Sequence, residues 1–566
     1  MSPTRRTFLQ QASAFGLLSR TVPSFTQQMM HDHMAAASSH PTASLDQPPR
    51  VPMLHTLELA PFVDPLPLPQ RAQSLGHHAG QQKLRIGMRE IHAKVHRDVP
   101  ATRLWTYCDL APRGAAPSPL APLIEARSGQ PLEVEWINNL PTQHFLPIDY
   151  TLHGCGHDLP DDRAIVHLHG ACAPTRDDGY PEDWFVPGAS RTCRYPMQQD
   201  AATLWYHDHA MGLNRLNIYA GLVGMAFLRD RTEDSLGLPS GKYEVPLTLF
   251  DRDFTADGQL FYPTSGIPDH PWVSEFTADG ILLNGKIRPF FEVEPHLYRF
   301  RVLNAANSRF FTLSLTNQQP FHQIGSDQGL LAAPVRLTRL HLAPAERADL
   351  LIDFSQSAGQ RLHLINGAFE VLELRVAPSS TASARVPASS LPPPHVVDAT
   401  SPASTIPKTL RTIDRIPESS AITTRTITLN DYLDKIHNSM FMLLNRKHWH
   451  EPVTERPRLN TTEIWEFVNL TEDVHPMHLH LVRFQVLDRR VFDVFAYQVR
   501  QQLRFLSPAT PPDANELGWK DTVQCAPGTI TRIIVRFEGY PGKYLYHCHI
   551  LEHESNDMMR PFEVLA

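Results

Sequence analysis

Nothing in this chain approaches the run of roughly 20 apolar residues that a membrane-spanning helix needs. No block of basic residues is concentrated enough to hold a nucleic acid, and the formal charge of the 566 residues is −7. Cysteine is scarce. Six at this length do not make a disulfide framework. Long helices are disfavoured by 50 prolines, which argue instead for short strands joined by loops. The apolar content of 42% is that of an ordinary globular protein, and the length is comfortable for three domains.

Histidine, in contrast, is plentiful and patterned. Pairs spaced by one residue occur at His31/His33, His167/His169, His207/His209, His448/His450, His478/His480 and His547/His549. The first lies in a polar tail and the fourth beside Trp449, and neither is assigned a metal. The other four sit in apolar, strand-like surroundings. A strand alternates faces with period two, so both imidazoles of a pair point the same way. Eight such imidazoles can hold a cluster of about three coppers.

The run His547-Cys548-His549 adds a second feature. On a strand, Cys548 projects opposite to its two neighbours. Two imidazoles, a thiolate and a weak thioether make a blue-copper electron-transfer site. Cys548, His553 and Met558 supply three of those groups within one strand and the turn after it, and His475 is the expected fourth. Met559 competes with Met558 for the axial place.

A longer repeat organises the chain. Val134 and Trp136 precede Asn138, Phe300 and Val302 precede Asn304, and Trp465 and Phe467 precede Asn469. The asparagines are about 165 residues apart, the period of a repeated domain. Composition places the boundaries in a charged stretch at 229–245 and a Pro/Ser-rich linker at 377–409. The expected domains are 45–233, 234–376 and 410–566, after an export signal and tail at 1–44. The middle domain carries none of the four pairs, so the first and last should face each other, with the middle one as spacer and wall.

With these motifs the chain resembles the multicopper oxidases, within them the bacterial spore-coat laccase and bilirubin-oxidase-like group. The likeness runs from about residue 50 to the C-terminus. It includes Asp178-Gly179-Tyr180-Pro181-Glu182-Asp183-Trp184-Phe185, Leu283-Asn284-Gly285-Lys286, Leu342-Ala343-Pro344-Ala345-Glu346-Arg347 and Gly518-Trp519-Lys520-Asp521-Thr522. The resemblance implies an all-β chain of three cupredoxin-like Greek-key β-sandwiches and four coppers. It places His475, Cys548, His553 and axial Met558 on a type 1 copper, and His167 and His478 on a type 2 copper. The type 3 pair falls to His169, His207 and His549 on one ion and His209, His480 and His547 on the other. It gives Glu554 and Asp178 a part in handling protons. The implied reaction takes single electrons from phenols, aromatic amines or tetrapyrroles, through an exposed edge of His475 or His553, and reduces O2 to water. The loop Ser507 to Asn515 is expected to shape donor choice, and the methionine axial ligand to give a moderate potential. Cu(I) or Mn(II) as donors form the alternative, weakened by the lack of a long methionine-rich insertion. A cupredoxin-fold export or structural protein is the non-enzymatic alternative.

Thr4-Arg5-Arg6-Thr7-Phe8-Leu9 looks like a twin-arginine export signal, so a periplasmic or extracellular monomer is expected. Met29-Met30-His31-Asp32-His33-Met34 reads as a tail after that signal. If Cys548 binds copper, Cys108, Cys155, Cys172, Cys193 and Cys525 remain, at least one of them unpaired. A bridge from Cys172 to Cys193 stays open.

Overall fold

The computed structural model describes residues 51–566 apart from 79–80, 115, 268–269, 379–404 and 436–437. The export signal, the segment Met29 to Met34 and most of the Pro/Ser-rich linker lie outside the described residues. Six sheets fall into three pairs, each pair drawn from one contiguous stretch. Each pair encloses its own apolar core, around Trp136 and Tyr206 in the first, Phe300 and Leu313 in the second, and Trp465 and Phe562 in the third. Residues 53–566 together form one compact unit.

The repeated motif recurs as a repeated element. Its three copies are strands Leu132–Asn139, Leu297–Asn304 and Thr462–Asn469. Each runs parallel to a long strand of its own sandwich, respectively Gln81–Ala93, Glu244–Phe254 and Ala421–Leu433. In the first copy burial alternates residue by residue, as a strand with one face on the core requires. The repeated asparagines are fully buried. Each accepts the backbone N–H two residues on, from Leu140, Ala306 or Thr471, at 2.9–3.0 Å. Each amide then donates to two carbonyls of neighbouring loops. The side chain thereby closes the end of its strand and ties two loops to it.

Two small sheets carry the paired histidines. One contains Val166–His169, Ala202–Asp208, Val223–Arg229 and Ile124–Arg127; the other contains Thr522–Cys525, His475–Leu479, Gly542–Cys548 and Met559–Val564. They belong to the first and third sandwiches.

All six cysteines are free thiols. The open pairing of Cys172 with Cys193 is not formed, because the two belong to different cores. Cys193 is paired with Val134 inside the first sandwich, whereas half-buried Cys172 packs against the third. Among the described residues no helix is long and apolar enough to cross a membrane.

Candidate metal centre

Antiparallel register sets the histidines opposite one another. His167 pairs with His207 in the first sandwich, and His478 with His547 in the third. Met477 pairs with Cys548, so the thiol faces the third core while His547 and His549 face outward to the first sandwich. Ring contacts cross between the sandwiches: His167 stacks on His480 at 3.8 Å and His169 on His478 at 3.7 Å. All eight rings are buried.

Groups of donors result, each with its ligand atoms within 4.8 Å of one another. Among them are His169, His207 and His549; His209, His480 and His547; His167, His169 and His478; and His475, Cys548 and His553. In the last, Cys548 Sγ lies 3.5 Å from His475 Nδ1 and 3.6 Å from His553 Nδ1, and the two nitrogens are 3.2 Å apart. That triangle suits three donors about 2.0–2.3 Å from one ion.

Hydrogen bonds decide which nitrogen of each ring is free. His167, His207, His478 and His547 donate through Nδ1 to the carbonyls of Asp178, Asp208, Asp521 and Cys548 at 2.6–3.1 Å. His480 Nδ1 donates to Asp178 Oδ2 at 2.8 Å, and His169 Nε2 donates to Asp521 Oδ1 at 3.2 Å. The remaining nitrogens of His167, His169, His207 and His478 are buried without a hydrogen-bond partner, as are both nitrogens of His209 and His549. His480 and His547 point Nε2 at Nε2 across 3.2 Å. An orphaned buried polar atom costs about 1–3 kcal/mol, so packing alone would not sustain this set. Metal ions satisfy it. Burial also pushes the proton affinity of His167, His169, His207, His209, His478 and His480 down, and that of His549 and His475 to about 3, and neutral imidazole is the ligand form.

The structure settles which methionine shares the thiol's face. Met559 pairs with His547 and packs on Met211, Trp449 and Leu545. Met558 lies on the other face, in the core that holds Cys548 and Met477, and its carbonyl accepts the Cys548 N–H at 3.0 Å.

Besides Asp521, two carboxylates touch the paired histidines. Asp178 lies on His480, and burial pushes its carboxyl up to about 6. Glu554 lies 3.3 Å from His547 Nδ1 and 3.4 Å from His209 Nε2. Burial would raise its carboxyl, but His547 and His209 hold it down to about 2.

Two expectations need correction. His475 and His553 have no exposed edge, for both are fully buried. His475 Nε2 is covered by Thr471 Oγ1 at 2.7 Å, and His553 Nε2 faces Glu275 Oε1 at 3.7 Å. The Glu275 side chain, 43% exposed, is what reaches solvent. The loop Ser507 to Asn515 is held by Thr510, bridged to Arg489, and by Asn515, bonded to Gln323 of the second sandwich. Nor is the middle sandwich only a spacer. Its Arg347 and Gln328 grip Asp521, whose carboxylate and carbonyl orient His169 and His478. Gly170 (φ +87°) sits against this group, where a Cβ would fall 2.9 Å from Asp521 Oδ2. Asp521 and Arg347 stand within two motifs already quoted, and their bulky charges in apolar segments were the available signal.

Fold and site together define a copper protein of three cupredoxin-like sandwiches. Family models described as multicopper oxidase match residues 157–233 and 421–566. Among curated proteins, the chain is 43% identical over 535 residues to a laccase of Bacillus subtilis (strain 168), covering 90% of this chain and 99% of that one. It is 42% identical over 525 residues to a laccase of Bacillus stratosphericus, covering 90% and 100%. Among solved structures, a laccase from Pediococcus acidilactici matches with TM-score 0.70 at 26% identity, covering 90% of this chain and 95% of that chain. McoA multicopper oxidase from Aquifex aeolicus matches with TM-score 0.70 at 28% identity, covering 90% and 100%. The chain belongs to the multicopper oxidases. It is a copper-dependent oxidase whose cofactors are four copper ions, one of type 1, one of type 2 and two of type 3.

Proposed function

We propose that the chain is a laccase-like oxidase of phenols, aromatic amines or tetrapyrroles. His475, Cys548 and His553 would hold the type 1 copper with Met558 axial, and His167 and His478 the type 2 copper. His169, His207 and His549 would hold one type 3 ion, and His209, His480 and His547 the other. Bound there, the coppers supply one-electron oxidation of the donor and four-electron reduction of O2 to water. The chain's own part is to connect and to insulate. Cys548 is joined by single peptide units to His547 and His549, so one strand links the two sites covalently. Buried Glu554 and Asp178 are placed to move protons at the carboxylates that touch His547, His209 and His480. Twin-arginine export, a periplasmic or extracellular location and a monomeric state complete the reading. The single observation that carries it is the set of orphaned imidazole nitrogens converging from two sandwiches. Oxygen uptake measured across a donor screen tests it; a copper-loaded chain that oxidises none of these aromatic classes would refute it.

A second reading, metal ions as donors, is favoured by Glu275. Its carboxylate stands between His553 and solvent, on a side chain 43% exposed. An exposed carboxylate at that place draws cations more than neutral aromatics. If it receives metal donors, Glu275→Gln should cut Cu(I) oxidation about tenfold or more while sparing turnover of a bulky aromatic dye. Equal losses for both donors would remove this reading.

A further inference from the structure

Among the described residues, six of the 14 exposed large apolar side chains lie in one hairpin that the oxidase chemistry does not use. Strand Phe484–Val491 leads into helix Val494–Arg500, which Asp493 caps by accepting the Ala496 N–H. Gln501, at φ +53°, ends the helix, and the chain returns alongside. Asp493 N–H donates to the Arg504 carbonyl, and Leu506 N–H to the Val491 carbonyl, both at 2.8 Å. The inner side packs on the third sandwich through Phe492, Val494 and Tyr497. The outer side is apolar. Phe495 and Val499, one helical turn apart, are 59% and 64% exposed, and Leu503, Phe505 and Leu506 extend the patch on the return.

Its charge is unlike that of the whole chain. Arg490, Arg500 and Arg504 fringe the patch, Arg490 4.0 Å from Asp488 and Arg504 3.8 Å from Asp493, while the full sequence carries −7. Arg490 lies over the Phe505 ring at 5.0 Å and Arg500 over the Phe495 ring at 5.7 Å. Arg504 is 70% exposed. An apolar face rimmed by guanidiniums is the chemistry of an interfacial element on an anionic bilayer. The rings would enter the headgroup region while the arginines meet phosphates.

We propose that the hairpin Val491 to Leu506 docks the oxidase on the surface of an anionic phospholipid membrane. A second copy fits less well, because a twofold contact sets each patch against its own image. Arg490, Arg500 and Arg504 would then oppose like charges.

The test uses the full, copper-loaded chain and co-sedimentation with vesicles. One set contains phosphatidylglycerol with phosphatidylcholine, the other phosphatidylcholine alone. Binding should be seen with the anionic set and fall about tenfold or more on the neutral one. Phe495→Glu with Val499→Glu should cause a similar loss, as should Arg500→Glu with Arg504→Glu. Aromatic dye turnover and blue absorption should remain unchanged in both variants, which separates lost docking from lost folding. Anionic vesicles that leave the native chain in the supernatant would overturn the proposal. So would equal pelleting of native and variant chains, or a dimer seen by light scattering that the variants dissolve without any vesicle binding.

Discussion

Glu554 and Asp178 are buried carboxylates with opposite tendencies. Asp178 is pushed up to about 6 by burial, whereas His547 and His209 hold Glu554 down to about 2 against the same effect. The two carboxylates beside the cluster therefore differ in proton affinity, Asp178 holding a proton more tightly than Glu554. Replacing Glu554 by Gln removes the ionisable oxygen and preserves the shape. We expect oxygen consumption to slow about 100-fold while the blue absorption and copper content stay in place. Disappearance of the colour together with the copper would make Glu554 a structural brace instead. At this scale much of the centre was legible in the sequence. Period-two alternation already separates His547 and His549 from Cys548, since it needs no knowledge of what lies across the sheet. Asp521, Thr471 and Glu275 were not legible as contacts, because each meets its histidine through tertiary packing. The covering of His475 and His553 escaped for the same reason: the groups over them come from residues 471 and 275, and exposure has no local pattern.

The repeated strand shows how an element can be read correctly and its purpose missed. Alternating apolar residues before Asn138, Asn304 and Asn469 mark three strands, and three parallel pairings confirm the repeat. The asparagine itself looks like a turn residue in sequence. In the structure it is a buried tie with at least three hydrogen bonds, one of which in each copy reaches a carbonyl 38–56 residues away. Asn469 holds Thr471 through its N–H, and Thr471 in turn covers His475. Asn138 ties loops of the first sandwich, through Asp162 and Phe185. Changing either Asn469 or Asn138 to Ala strands buried groups, so each should lose about 2–4 kcal/mol of stability in denaturant titration. Only Asn469→Ala should also shift the blue absorption. A shift in the Asn138→Ala spectrum of the same size would show that the colour reports general loosening rather than the Thr471 contact.

Three sandwiches must hold a register fine enough for imidazoles from two of them to share ions, and buried charge supplies part of that grip. Between the second and third sandwiches, Arg347 pairs with Asp521. Between the first and second, Arg229 and Glu233 join Arg299, Arg301, Glu244 and Asp349 in one buried ionic cluster. Burial alone would raise the Glu233 carboxyl, yet Arg301, Arg299 and Arg229 hold it down to about 2. The sign of the pH effect follows. A carboxyl whose folded proton affinity is lowered favours the folded state above its unfolded pKa of about 4.5, and that share fades as pH falls towards about 2. Its size is about 3 kcal/mol. Glu233→Gln leaves Arg299 and Arg301 without full compensation and should cost about 3–5 kcal/mol near neutral pH. The stability gap between native and variant chains should then narrow steadily below about pH 4.5. A gap that stays constant through that range would mean that Glu233 contributes through packing, and that the sandwiches are registered by their apolar contacts alone.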